Sequence, residues 1–417
     1  MNVKEDVIRQ LKAAKEASRI LAQTPTGLKD KALAAMSRRL RAAAGVILEA
    51  NGKDVANAKA AGLPAPLVAR LTLDEKKLEG MAQGVDLVAS LPDPVGQVPA
   101  MWQRPNGLVI GRKRVPLGVV AMIYESRPNV TSDVAALALK SGNAAVLRGG
   151  EEAYETNIAV VRELKEAVKE CGLPADSVQF IETLDRAAVT HLLEATGLVD
   201  VVIPRGGENL IRLVVEKARV PVIFQTKGVC HTFVDESADL DMASCIAVNA
   251  KVSNPAVCNA MECLLVHEKV AERFLPKVAA GLAKAGVEIR GDETVCRILP
   301  SAVRAKEDDY GREFLALILA VKVVRDIDGA LDHIRKYGSN HSESIVTNGY
   351  ANAQRFLQEV DAACVYVNAS TRFTDGSEFG FGAEVGISTQ KLHVRGPMGL
   401  EELTTVKYVI YGSGQVR

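Results

Sequence analysis

Between Leu117 and Phe224 short apolar runs alternate with longer stretches of helical period, and no other feature constrains the fold of this chain as tightly. The runs are Leu117 to Ile123, Ala144 to Leu147, Val178 to Ile181, Val199 to Ile203 and Val220 to Phe224. Helices are expected up to Lys140, from Tyr154 to Cys171, from Arg186 to Ala195 and from Asn209 to Ala218. A strand that is apolar on both faces must be covered on both, and crossover helices supply the cover, so the pattern predicts a parallel sheet. Such sheets meet their ligands at the carboxyl ends of the strands.

A second α/β segment is expected from the strand His231 to Val234, through Cys258, the apolar run Cys263 to Val266 and a helix from Ala271 to Ala285, to strands near Lys322 to Val324 and Cys364 to Val367. Residues 1 to 92 read as helices, with Val7, Leu11, Ala14 and Leu21 on one stripe and Leu33, Met36, Leu40 and Ile47 on another. Leu91-Pro92-Asp93-Pro94 stops them. Trp102 to Val115 predicts a hairpin about Pro105-Asn106-Gly107, and the alternation from Thr404 to Tyr411 predicts a strand whose faces see different surroundings.

With 417 residues the chain is long enough for two domains, and 48% hydrophobic with 24% charged residues excludes disordered and collagen-like classes. Lys plus Arg equals Asp plus Glu at 51 each, so no overall field favours nucleic acid or an anionic membrane, and an anionic ligand must be met locally. The run Leu315 to Val321 is too short to span a membrane, and Lys4, Glu5 and Asp6 stand ahead of an amphipathic pattern, so no signal peptide is expected. Seven cysteines at irregular spacing form no disulfide framework, so reduced thiols in the cytoplasm are expected. Cys258 and Cys263 lack a second ligand pair, and no metal is expected.

Chemistry is expected at four places. Cys258, in Asn254-Pro255-Ala256-Val257-Cys258-Asn259-Ala260-Met261-Glu262, has small and amide-bearing neighbours just before an apolar run, as an exposed nucleophile would; a lone cysteine is more often a small buried hydrophobe. Arg205-Gly206-Gly207-Glu208-Asn209, between a strand and a helix, suits a phosphate cradle or a plain turn. Arg148-Gly149-Gly150-Glu151 offers a cation for phosphate or adenine and a carboxylate for ribose hydroxyls, or is a solvated loop. Tyr124-Glu125-Ser126-Arg127-Pro128-Asn129 ends in an amide able to donate to an oxyanion.

Arranged in this order, the pieces resemble the aldehyde dehydrogenase superfamily. The stretches "VPLGVVAMIYESRPNVTSDVAALALKSGNAAVLRGG", "NPAVCNAME" and "VNASTRFTDGSEFGFGAEVGISTQKLHVRGPMGLEELTT" are similar to its gamma-glutamyl phosphate reductase family, also called glutamate-5-semialdehyde dehydrogenases, and the likeness runs from about residue 3 to about residue 412. It implies an aldehyde dehydrogenase-like α/β fold: a Rossmann-like cofactor domain at 1–100 and 116–226, a catalytic domain at 227–399, and a β oligomerisation arm at 101–115 and 400–417. It further implies NADPH-dependent reduction of L-glutamyl 5-phosphate to L-glutamate 5-semialdehyde and phosphate in proline biosynthesis. A homo-oligomer, at least a dimer, and a glutamate 5-kinase as source of the labile substrate belong to the same expectation.

By the same resemblance Cys258 is the nucleophile, and Asn129 with the Cys258 N–H forms the oxyanion hole. Arg148, with Gly149, and Glu151 take the adenosine side of the dinucleotide and Glu313 the nicotinamide ribose, while Gly206 and Gly207, from their own place between strand and helix, are expected at its phosphates. From their glycine-rich or loop contexts Arg127, Arg205, Arg372 and Arg395, the last two foremost, are expected as cations for the substrate's phosphate and α-carboxylate, and His393 is a proton donor or a packed loop residue, the second being favoured. Hydrolytic aldehyde dehydrogenases carry Glu-Leu-Gly-Gly ahead of the nucleophile, and here the segment reads Gln225-Thr226-Lys227-Gly228. Without that glutamate a Cys258 thioester is poorly attacked by water and survives to exchange with phosphate or accept a hydride. Two other readings are a hydrolytic NAD-dependent aldehyde dehydrogenase, disfavoured by Gln225 and Thr226, and a silent scaffold, disfavoured by Cys258 with Asn129.

Overall fold

Five helices open the chain: Val3–Leu21, Thr26–Ala42, Ala44–Ala60, Ala65–Leu71 and Glu75–Ser90. Asn2 caps the first by accepting from the Lys4 N–H, and Asp74 caps the last by accepting from Lys77. The apolar stripes are buried as their period requires. One stripe is corrected: Leu33, Met36 and Leu40 belong to one helix, and Ile47, beyond the break at Ala43, to the next.

The computed structural model describes residues 2–417, with the side chain of residue 66 left aside. The chain divides into two units. One runs to Phe224 and takes back Gly380–Gly386 and Met398–Arg417; the other is Gln225–Phe379 with Ile387–Pro397.

In the first unit four parallel strands lie in the order Val178–Phe180, Ala144–Gly149, Val119–Tyr124, Val201–Arg205. Every residue of Val119–Tyr124 is buried, as a continuous apolar run predicts. The expected fifth strand, Val220 to Phe224, is reduced to a single bridge between Val222 and Val202, because Pro221 has no N–H to give. The chain leaves Val119–Tyr124 toward one edge and later returns on its other side. The ends of Val119–Tyr124 and Val201–Arg205 therefore open a crevice between diverging connections.

A separate three-stranded antiparallel sheet belongs to the same unit. Ala100–Gln103 pairs with Val109–Pro116, and Thr404–Tyr411 pairs with Val109–Pro116 along its whole length. The hairpin turns at Gly107, whose φ of 90° a side chain would strain. The returning strand is tied down where the sheet meets the unit: Asn143 Nδ2 donates to the Leu403 carbonyl at 2.8 Å, and Arg114 pairs with Glu401 at 2.6 Å. Trp102, Tyr408, Ile410 and Tyr411 of this sheet are exposed.

The second unit holds seven parallel strands in the order Val303–Arg304, Glu288–Gly291, Ile318–Val324, Met261–His267, Cys230–Val234, Ser342–Val346, Cys364–Val367. An apolar cluster packs on each face. Ser342–Val346 escaped the apolar pattern because its buried polar residues find partners across the fold: Ser342 bonds Thr374 at 2.6 Å, Ser344 the Ala369 carbonyl at 2.7 Å, and one oxygen of Glu343 the His231 N–H at 2.7 Å. Among the described residues no helix is long and apolar enough to cross a membrane.

Lys251, on the helix Leu240–Val252, meets Glu262, on the strand Met261–His267, at 2.6 Å with both side chains fully buried. The pair closes the turn between helix and strand, and Glu262 also accepts from the Leu315 N–H at 3.1 Å. Lys251→Met strands a buried carboxyl and is expected to cost ~3–5 kcal/mol, read as a lowered urea midpoint. Adding Glu262→Gln, which keeps an acceptor for Leu315, is expected to recover part of that loss.

Candidate active site

Strand-end loops of the first unit are held by carboxylates. Ser126, at φ 44°, gives both its N–H and its hydroxyl to Glu152 Oε1, at 2.5 and 2.7 Å, which pins the loop that leads into the helix Asn129–Lys140. Glu125 reaches across to the neighbouring strand end, where its Oε2 accepts from the Gly207 N–H at 2.9 Å. A β-carbon at Gly206 would stand 2.5 Å from that oxygen. The Gly206–Gly207 turn, ahead of the helix Glu208–Lys217, thus already holds an anion, and that anion is the protein's own. Glu125 directly follows the buried strand Val119–Tyr124 and Glu152 stands three residues beyond Ala144–Gly149, and neither carries a local mark of this role in the sequence.

Arg148 ends the strand Ala144–Gly149, donates from Nη1 to the Gly149 carbonyl, and has a buried Nε with no partner. Burial lowers its guanidinium below the ordinary value, against the pull of Glu151 and Glu152. Glu151 is exposed. Arg127 is half-buried in the loop before Asn129. Asn129 is exposed and donates from Nδ2 to Asp133 at 2.9 Å. Arg205 lies against Gly386, where a β-carbon would come within 2.8 Å of its Nη1 and where φ is 151°.

In the second unit Cys258 is half-exposed in the turn between the Lys251 helix and the Glu262 strand. Two segments, 227–230 and 371–374, hold that turn. Gly228 packs so closely on it that a β-carbon would overlap the Cys258 carbonyl oxygen and stand 2.6 Å from the carbonyl carbon. The Gly228 N–H in turn donates to Glu313 Oε1 at 2.9 Å, and Lys227 Nζ donates to the Gly311 carbonyl at 2.9 Å. From below, Cys230 Sγ approaches the Cys258 carbonyl oxygen at 3.2 Å.

Arg372 holds the turn from the side: Nε donates to Ser253 Oγ at 3.0 Å and Nη1 to Asn259 Oδ1. Asn259 is anchored further by Thr371, whose hydroxyl donates to its carbonyl at 2.8 Å, and by the Thr374 carbonyl, which accepts from its Nδ2 at 2.8 Å. Arg395 pairs with Asp361 at 2.8 Å and keeps Nε and Nη2 buried without partners. His393 is exposed at φ 67°, so the expectation that it packs within its loop is not met. The structure thus brings Cys258, Glu313 and Arg372 to one turn of the second unit; Arg395 sits apart on Asp361. In the first unit it brings Asn129, Arg127, Arg205, Gly206 and Gly207 to two adjacent strand ends, with Arg148, Gly149 and Glu151 on the next.

A buried polar cluster lies in the second unit. His231, Cys263 and His333 place one nitrogen or sulfur atom each within 4.8 Å of one another, and Cys263 Sγ is 3.5 Å from His333 Nε2. Burial alone would lower His231, but the Glu343 carboxylate at 2.9 Å, with Cys263, carries it up to about 10. Burial, aided by the His231 charge, drives His333 down to about 2. His231 is then an imidazolium donating to Glu343, with no lone pair to offer an ion, and His333 is neutral.

A model of the aldehyde dehydrogenase family matches residues 2–308. The chain is 58% identical to the gamma-glutamyl phosphate reductase of Carboxydothermus hydrogenoformans over 99% of its own length and 100% of the relative's. It is 57% identical to that of Moorella thermoacetica over the full length of both. It superposes on the crystal structure of gamma-glutamyl phosphate reductase from Thermotoga maritima with a TM-score of 0.97 and 49% identity, covering 99% of each chain.

Gly228→Ala is expected to cost ~1–3 kcal/mol and to change the rate at which iodoacetamide alkylates Cys258 several-fold, while exposed Cys245 keeps its rate. Timed labelling with peptide mapping reads both thiols in one sample.

Proposed function

The chain belongs to the aldehyde dehydrogenase family, among its gamma-glutamyl phosphate reductases, and from that premise we propose that it reduces L-glutamyl 5-phosphate to L-glutamate 5-semialdehyde through a thioester on Cys258. The observation that carries the reading is a half-exposed thiol in a turn fixed from several sides, with Gln225 and Thr226 where hydrolytic relatives carry a base. The Cys258 thiolate attacks the γ-carbonyl carbon, the bond to the phosphate oxygen breaks, and phosphate leaves with the electron pair. A nicotinamide dinucleotide, when bound, supplies a hydride to the thioester carbon. The thiohemiacetal then expels the thiolate and releases the aldehyde. Asn129 and the Cys258 N–H are the oxyanion donors for both additions.

For the dinucleotide, Gly206 and Gly207 are the place for its phosphates, which take the Gly207 N–H only once the Glu125 carboxylate has released it. Arg148, with an unpartnered buried Nε and help from Gly149, is the cation for the 2′-phosphate that favours NADPH. The exposed Glu151 takes ribose hydroxyls on the adenosine side, and Glu313 takes the nicotinamide ribose. Arg127, Arg205 and Arg395 are the cations for the substrate's phosphate and α-carboxylate, and Arg395 leads because two of its nitrogens lack partners. Arg372 contributes to the same end while it holds the Cys258 turn. A glutamate 5-kinase supplies the substrate, as a step of proline biosynthesis, and a reducing cytoplasm preserves the thiol.

In the oxidative direction, with glutamate 5-semialdehyde and NADP, NADPH formation is expected to require inorganic phosphate as acyl acceptor, and Cys258→Ala to abolish it. Turnover within twofold after rigorous removal of phosphate would mean that another group activates water. We also propose a homo-oligomer built on the three-stranded sheet, whose edge strand Ala100–Gln103 and exposed Trp102, Tyr408 and Ile410 would otherwise meet water. Sedimentation at micromolar concentration is expected to show at least a dimer, and removal of 404–417 to dissociate it.

A further inference from the structure

We propose that Asp133 is a positioning residue that decides which end of the Asn129 amide faces the reacting carbonyl, an inference that rests on the oxyanion role given to Asn129 above. The two residues are the first and fifth of the helix Asn129–Lys140, one turn apart on the same face. Asn129 Nδ2 donates to Asp133 Oδ2 at 2.9 Å. A primary amide is nearly symmetric in shape and opposite in polarity at its two ends. Turned one way, an exposed Asn129 offers a donor to an oxyanion; turned the other way, it offers an oxygen that repels it. An ionised carboxylate only accepts, so Asp133 captures one N–H of the amide and leaves the second, in the same plane, for the substrate.

The surroundings of Asp133 favour the ionised form at neutral pH and release it in mild acid. Burial raises its carboxyl to about 6, while the Asn129 N–H and the charge of Arg205 pull the other way. Arg205 arrives from the neighbouring strand end, opposite Tyr124, and is backed by Gly386. On the helix Glu75–Ser90 the residue facing Asp133 Oδ1 is Gly84, which brings no charge, and that helix's Glu79 and Asp86 are paired with Arg41. A protonated Asp133 gains an O–H to donate, and the amide can then turn its oxygen toward it. The oxyanion donor would be withdrawn.

The test compares wild type, Asp133→Ala, Asp133→Asn, Asn129→Ala and the double alanine variant in the oxidative assay with saturating glutamate 5-semialdehyde, NADP and phosphate. Asp133→Ala is expected to lower kcat about tenfold or more, with KM changed far less. Asp133→Asn, whose amide can pair in either sense, is expected to fall between it and wild type, and it serves as the folded reference if the alanine variant is unstable. The double variant is expected to be no slower than Asn129→Ala alone. The acid limb of kcat near pH 6 is expected in wild type and absent in both Asp133 variants.

A kcat for both Asp133 variants within twofold of wild type, or an acid limb that persists in them, overturns the positioning role. If Asn129→Ala leaves kcat unchanged, the oxyanion reading itself fails, and the positioning role goes with it. A loss in Asn129→Ala without one in Asp133→Ala removes only the latter.

Discussion

A β-carbon and a carbonyl oxygen cannot share one position, and at Gly228 the Cys258 carbonyl occupies the place where that carbon would be. The Cys258 turn owes its setting to this contact. Because the segment at 227–229 lies against the Cys258 backbone, its own polar groups reach out to third parties: Gly228 to Glu313, Lys227 to Gly311, and the Val229 N–H to Ser339 Oγ at 2.8 Å. Together these tie two stretches of chain, one at 311–313 and one at Ser339, to the segment that lies against the turn. In the thioester chemistry proposed for Cys258, a thiol held this way would lose little freedom on reaction, which is how positioning lowers a barrier.

The electrostatics follow the same economy of placement. In each unit, carboxylates of the protein meet N–H groups or cations: Glu125 on Gly207, Glu152 on Ser126, Glu262 on Lys251, Glu343 on His231. Buried charges survive because each has a partner at hydrogen-bond distance. The balance of 51 acidic and 51 basic residues says nothing about such pairs, because only their position gives them force.

Much of the frame was legible in the sequence because burial on both faces of a parallel sheet leaves an unbroken apolar run. Val119–Tyr124 and Ala144–Gly149 announce themselves in that way, and so does the turn at Gly107. Ser342–Val346 did not, because its burial is bought by hydrogen bonds to other strands and loops, which no local pattern records. Val220 to Phe224 misled in the opposite sense, since hydrophobicity alone ignores the missing N–H of Pro221. At the site, Cys258 and the strand-end glycines stood out by their neighbours. Glu125, Glu152 and Asp133 did not, since a carboxylate acquires its role from the donor it faces across the fold.

The first unit is completed by residues from the far end of the chain. Leu117 donates its N–H to the Leu403 carbonyl at 3.4 Å, and Arg114 reaches Glu401, 287 positions later. A ribosome that adds roughly 5–20 residues each second therefore leaves the hairpin around Gly107 without its third strand for tens of seconds. During that interval Val109–Pro116 presents an unpaired edge, open to any strand that comes within reach, including the same hairpin on a neighbouring nascent chain. Synthesis of residues 404–411 ends that exposure, so termination ahead of them is expected to be felt first as aggregation of an otherwise folded protein.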